Sequence, residues 1–120
     1  MVKLDKLKKS IKNLENALKY EERIPEDQFY MAGISKCYEV SLEYAWKYMR
    51  SVVVNEGLDA YGPKETIKTA GRMELIDNVE EWLKFINDRN LAVHDYAIIT
   101  DEQYLNSAKM FLNGYLQKNF

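Results

Sequence analysis

The chain has 120 residues, a formal charge of −2 and 47% hydrophobic residues, which fits one folded domain with a modest core rather than a disordered or fibrous chain. A pI of about 5.5 excludes a global basic field, so any RNA contact must be local or assembled from two copies. One cysteine, Cys37, and one histidine, His94, exclude an internal disulfide and argue against a zinc site within one chain.

Leu4, Leu7, Ile11, Leu14 and Leu18 recur at 3-4-3-4 spacing with Lys and Glu on the other faces, which predicts a first helix from Val2 to about Arg23 as one wall of a bundle. Pro25, with Glu26 and Asp27 beside it, predicts the first turn of a second helix reaching about Val54. Ile34, Tyr38, Ser41, Ala45, Tyr48 and Val52 share its buried face, and Phe29, Cys37, Leu42, Met49 and Val53 widen it. Cys37 within this pattern reads as a small buried thiol kept reduced in a cytoplasm. Gly33 is expected to admit close approach of another backbone. Gly57 reads as a left-handed cap, and Pro63 opens a short helix carrying Ile67, Ala70 and Met73.

Asp77-Asn78-Val79-Glu80 predicts a capping box for the next helix. Val79, Leu83, Ile86 and Asn90 lie on one face of it, beside Trp82 and Phe85. Thr100 and Gln103 predict a second capping box and a terminal helix from Asp101 to about Lys118, with Tyr104, Ala108, Phe111 and Tyr115 as its stripe and Leu105, Leu112 and Leu116 broadening it. No segment alternates as a strand, and no internal repeat is evident. The fold expected is all-α: an up-down antiparallel four-helix bundle with one extra short helix, a single domain over residues 1–120. Neither a signal-peptide pattern nor a membrane-length apolar run is present, so a cytoplasmic protein without membrane contact is expected.

The stretch with the most chemistry is Asp88-Arg89-Asn90-Leu91-Ala92-Val93-His94-Asp95-Tyr96. It gathers a guanidinium, an imidazole that titrates near neutrality and a phenol at one helix end. Arginine can grip a phosphate through two parallel hydrogen bonds, and histidine can serve as acid or base. On an ideal helix Arg89 and His94 fall about 140° apart. Either the last turn is distorted, or His94 meets a second copy of the motif. The bland alternative is a cationic cap at a helix C-terminus.

Arg, four residues, His, one residue, Tyr, with Asn after the Arg, resembles the signature of HEPN domains. Within them the chain is similar to the nucleotidyltransferase substrate-binding protein family, partners of minimal nucleotidyltransferases in toxin–antitoxin pairs. Cys37-Tyr38-Glu39 and Glu43-Tyr44-Ala45-Trp46-Lys47 resemble that family's helix 2 signature, at slightly different spacing. Gly62-Pro63-Lys64 stands where a Ser-Pro-Arg turn is usual, and Leu75-Ile76-Asp77, Trp82 and Asp88-Arg89-Asn90-Leu91 follow in the family's order. The resemblance implies a helical homodimer with no cofactor and no metal, cleaving RNA at a cleft between subunits. Arg89 would hold the scissile phosphate, His94 would act as acid or base, and Asn90 would orient them. It also implies that a partner nucleotidyltransferase antitoxin modifies Tyr96 with AMP and so silences the toxin. Two other readings stand beside it: a non-catalytic subunit that presents a substrate or nucleotide to the nucleotidyltransferase, and a purely structural dimer.

Overall fold

Four long helices and one short one pack as an antiparallel all-α bundle in the computed structural model, which describes residues 2–94 and 98–118. The helices are α1 (Val2–Leu18), α2 (Phe29–Asn55), α3 (Pro63–Arg72), α4 (Val79–His94) and α5 (Asp101–Lys118). No strand occurs among the described residues. The heptad residues Leu7, Ile11 and Leu14 are buried against the bundle, as their spacing requires.

The first connection departs from expectation. α1 ends at Leu18, five residues before Arg23, and Glu21–Glu26 form a separate 3₁₀ helix that contains Pro25. Proline lacks the N–H that a continuing helix needs but tolerates a short 3₁₀ segment. α2 therefore starts at Phe29, where the Asp27 carboxylate accepts from the Phe29 N–H at 3.0 Å. Arg23 lies 4.9 Å from the Tyr30 ring centre, Tyr20 stacks on Tyr30, and Lys109 pairs with Glu21 at 3.0 Å. These contacts fasten the connection to α2 and α5. Phe29, expected to widen the buried face, is instead 81% exposed, because the helix begins with it.

α2 ends as the sequence indicates. Gly57 has φ +84°, its N–H donates to Val54 O at 2.9 Å, and the Leu58 N–H donates to Val53 O at 3.2 Å, the paired bonds of a Schellman ending. α3 ends the same way but with Glu74 in the left-handed position, at φ 60°. There Glu74 N–H donates to Gly71 O at 3.1 Å and Leu75 N–H to Ala70 O at 2.9 Å. The capping box of α4 is shifted by one residue from Asp77/Glu80. The Asn78 carboxamide oxygen accepts from the Glu81 N–H at 3.3 Å, and the Asn78 amide donates to the Glu81 carboxylate at 2.7 Å. The box on α5 is as expected: Thr100 N–H donates to Gln103 Oε1 at 2.9 Å, and Gln103 N–H to Thr100 Oγ1 at 3.0 Å.

The close helix approach is not at Gly33, where an added Cβ would meet nothing within 4 Å. It is at Gly71, where a Cβ would fall 2.2 Å from Val79 Cγ2. This contact sets the turn from α3 into α4 and hence where α4 points. Phe111 centres the aromatic core, with Tyr38, Trp82 and Phe85 at ring-centre distances of 5.6, 5.6 and 5.8 Å. The Tyr38 hydroxyl and Ser107 Oγ share a buried hydrogen bond of 2.6 Å. Burial pushes the Tyr38 and Tyr104 phenols far above their ordinary pKa, so both stay neutral.

Candidate functional site

The distinctive stretch occupies the C-terminal half of α4, and α4 is regular through His94, so the distortion foreseen as one option is absent. Arg89 leaves α4 toward α2 and lines a cleft of about 350 Å³ with Lys36, Glu39, Val40, Glu43, Tyr44 and Lys47. These α2 residues repeat every three or four positions because the cleft is one strip of that helix.

The guanidinium is held only loosely. Arg89 Nη1 lies 3.7 Å from Glu43 Oε2, and its side chain is 20% exposed. Its Nε–H is buried with no hydrogen-bond partner. Glu43 does not reach it: that carboxylate faces Nη1, and it is shared with Lys47 Nζ at 2.9 Å and with the Trp46 indole N–H, which donates at 3.1 Å. Burial alone would raise the Glu43 pKa. The hydrogen bonds from Lys47 and Trp46, with the charges of Lys47 and Arg89, outweigh it and hold the carboxyl below its usual range. The cleft thus carries three cations, Lys36, Lys47 and Arg89, against Glu39 and Glu43. A buried N–H without a partner normally costs free energy. A guanidinium binds an anion best through its Nε–Nη edge in bidentate geometry, and to offer that edge the enclosed Nε–H must turn into the cleft.

His94 does not share this cleft. It is the last residue of α4 and is exposed; five helical residues place it about 7.5 Å further along the axis and about 140° round from Arg89. Asn90 is half-buried beside Arg89 in sequence. A second hollow of about 200 Å³, lined by Ser35, Glu39, Ala92, Val93, Thr100 and Tyr104 among others, flanks the last turn of α4. Glu39 borders both hollows. Asp88 is buried and its carboxylate accepts from Lys84 at 2.8 Å on the same helix. Tyr96 lies outside the described residues. One chain therefore brings Arg89 together with an α2 strip and leaves His94 apart. No group of three potential metal ligands occurs among the described residues.

Sequence reasoning assigned no chemical role to Glu43 or Lys47. Their four-residue spacing was the available signal, but only the packing of α4 shows that Arg89 joins them.

The fold defines a class: an all-α bundle with an arginine of α4 set into a cleft along α2. The family model described as nucleotidyltransferase substrate binding protein like matches residues 2–116, and the chain belongs to that family. No curated protein matches it.

Proposed function

We propose that the protein is a HEPN-type toxin, an endoribonuclease whose complete site needs two copies of the chain and which a partner nucleotidyltransferase silences by AMP transfer to Tyr96. The observation that carries the reading is the buried, partnerless Nε–H of Arg89 beside a cleft with a surplus of cations. Arg89 grips the scissile phosphate and stabilises charge on its oxygens. His94 of one copy takes the proton from a ribose 2′-hydroxyl as that oxygen bonds to phosphorus. The P–O5′ bond breaks, and the leaving oxygen takes a proton from the imidazolium of the other copy. Two proton-transfer groups are needed and one chain supplies a single histidine, which favours the homodimer. Asn90 steadies the arrangement. In the silenced form the Tyr96 phenol displaces pyrophosphate from ATP and carries AMP, whose bulk and negative charge two residues from His94 repel RNA.

The family's description, together with the separation of Arg89 from His94 in one chain, favours a second reading. In it the cleft presents a nucleotide or other substrate to the nucleotidyltransferase without RNA turnover. The experiment is RNA cleavage by purified protein shown by mass spectrometry to lack AMP on Tyr96, with and without chelator, beside His94→Ala and Arg89→Ala. Chelator-resistant cleavage lost in both folded variants supports the toxin. No cleavage by folded, unmodified dimer, with a stable nucleotidyltransferase complex, supports the binding subunit.

A further inference from the structure

The chain is mildly acidic overall, but its charge is segregated. Residues 1–19 hold six lysines against Asp5 and Glu15, a surplus of four, so with a total of −2 the remainder stands at −6. Lys6, Lys8, Lys9 and Lys12 are all exposed on α1. The apolar stripe Leu7, Ile11 and Leu14 is 0–4% exposed and fully used by the bundle, so the lysine face has no packing duty. Six ion pairs form among the described residues and none involves α1. Lys8 and Lys12 stand four residues apart, and Lys6, Lys9 and Lys12 three apart. Like charges at these spacings repel and weaken a helix. Asp5 stands at helical spacing from Lys8 and Lys9, and Glu15 from Lys12, but two carboxylates against Lys6, Lys8, Lys9 and Lys12 leave the face net positive.

The composition of the face selects its partner. Exposed positions from Asp5 to Asn16 are all polar or charged. A protein partner would find no aromatic or aliphatic anchor there, and lysine is depleted from protein interface cores. A polyanion needs only the charge, because each lysine set against a phosphate releases counterions. α1 and α4 both pack on α2, and α2 carries Lys36 and Lys47 of the cleft.

We propose that the lysine face of α1 is a docking surface for the phosphate backbone of an RNA strand. The inference rests on the proposed function in taking RNA as substrate, but it concerns binding and not cleavage. The test uses the full chain with His94→Ala, so that RNA is not consumed, and fluorescence polarisation of a labelled single-stranded RNA. Lys8→Gln/Lys9→Gln/Lys12→Gln is compared with Lys64→Gln/Lys68→Gln/Arg72→Gln, which removes three exposed charges from α3. Circular dichroism checks each fold. The α1 triple is expected to weaken binding at least about tenfold near 0.1 M salt. It should also make the dependence of log K on log salt shallower by about 2, since each charge on single-stranded nucleic acid contributes about 0.7. The α3 triple should stay within about twofold of its parent, beyond the general effect of net charge. Three results overturn the proposal: no RNA bound by the parent, an α1 triple that binds like the parent, or equal losses in both triples. Anionic phosphatidylserine vesicles provide the other arm; vesicle binding lost in the α1 triple while RNA binding is kept assigns the face to membranes and also overturns it. RNA bound through α1 but never cleaved by unmodified wild type would sink the nuclease reading alone.

Discussion

Gly71→Ala tests the contact that aims α4. In an open helical position alanine stabilises over glycine by about 1 kcal/mol. At Gly71 the added Cβ meets Val79 Cγ2 at 2.2 Å and Val79 Cβ at 3.6 Å, whereas carbon atoms pack best at about 3.5–4.0 Å. The methyl must retreat by more than about 1 Å. Val79 is β-branched, so few χ1 rotamers are open to it. An off-rotamer turn costs about 0.5–1.5 kcal/mol and overpacking typically about 1–3 kcal/mol. Set against the propensity gain, the net loss should be about 1–2 kcal/mol, read as a lower urea midpoint at unchanged slope. Adding Val79→Ala should remove most of the clash, giving a favourable coupling in the double-mutant cycle. Gly33→Ala, in open space, should instead gain up to about 1 kcal/mol. If Gly71→Ala were as stable as wild type or gained like Gly33→Ala, the α3–α4 approach would be wrong, and with it the stated direction of α4.

Glu43→Gln removes the charge 3.7 Å from Arg89 Nη1 while keeping an acceptor for Trp46. For a pair this exposed the interaction is about 1 kcal/mol, so 2′-O-methyl RNA should bind about fivefold tighter; unchanged or weaker binding counts against Arg89 as the phosphate ligand. Tyr38→Phe loses the bond to Ser107 and should cost about 1–2 kcal/mol. Because folding raises the Tyr38 pKa, the unfolded chain sheds that proton first, so stability is complete below the ordinary phenol range and falls as pH rises above about 10. Its share of the alkaline slope, about 1.4 kcal/mol per pH unit, should be lost in Tyr38→Phe, while Tyr104, raised in the same way, keeps its own; identical alkaline slopes would refute the burial argument. Glu74→Gly relieves a left-handed position held by a residue with a Cβ and should raise stability by about 1 kcal/mol in thermal melts, with no effect on RNA binding.

Periodicity made the bundle legible because burial dictates it. Leu7, Ile11 and Leu14, then Tyr38 and Ala45, then Phe111 and Tyr115 are buried where the spacing placed them. Local chemistry made the ends legible when one residue decides: Gly57 at its positive φ, and Thr100 with Gln103. Ambiguity entered where neighbours compete for a role. Asp77 and Asn78 are both good caps, and the chain uses Asn78 because Glu81, not Glu80, comes back to it; Asp77 turns to Lys118 on α5 instead. A glycine's purpose was not legible. Gly33 and Gly71 both sit in helices, and only the tertiary arrangement shows which one faces a neighbouring helix.

The site was half legible for a related reason. Arg89 and His94 stand out by chemistry, but their sequence separation fixes only a helical angle, and the angle sets them apart in one chain. The physical demands on the two groups differ under the proposed reading. A phosphate grip needs a guanidinium with donors to spare, and Arg89 is mostly enclosed, with its Nε–H unpartnered and Glu43 only within 3.7 Å of Nη1. A proton-transfer group must reach both substrate and solvent, and His94 is exposed at a helix terminus. Under that reading, two copies meeting near the ends of α4 would supply both, each offering one enclosed guanidinium and one exposed imidazole. The helix that separates the two residues in one chain would then leave each to be met by its counterpart on a second.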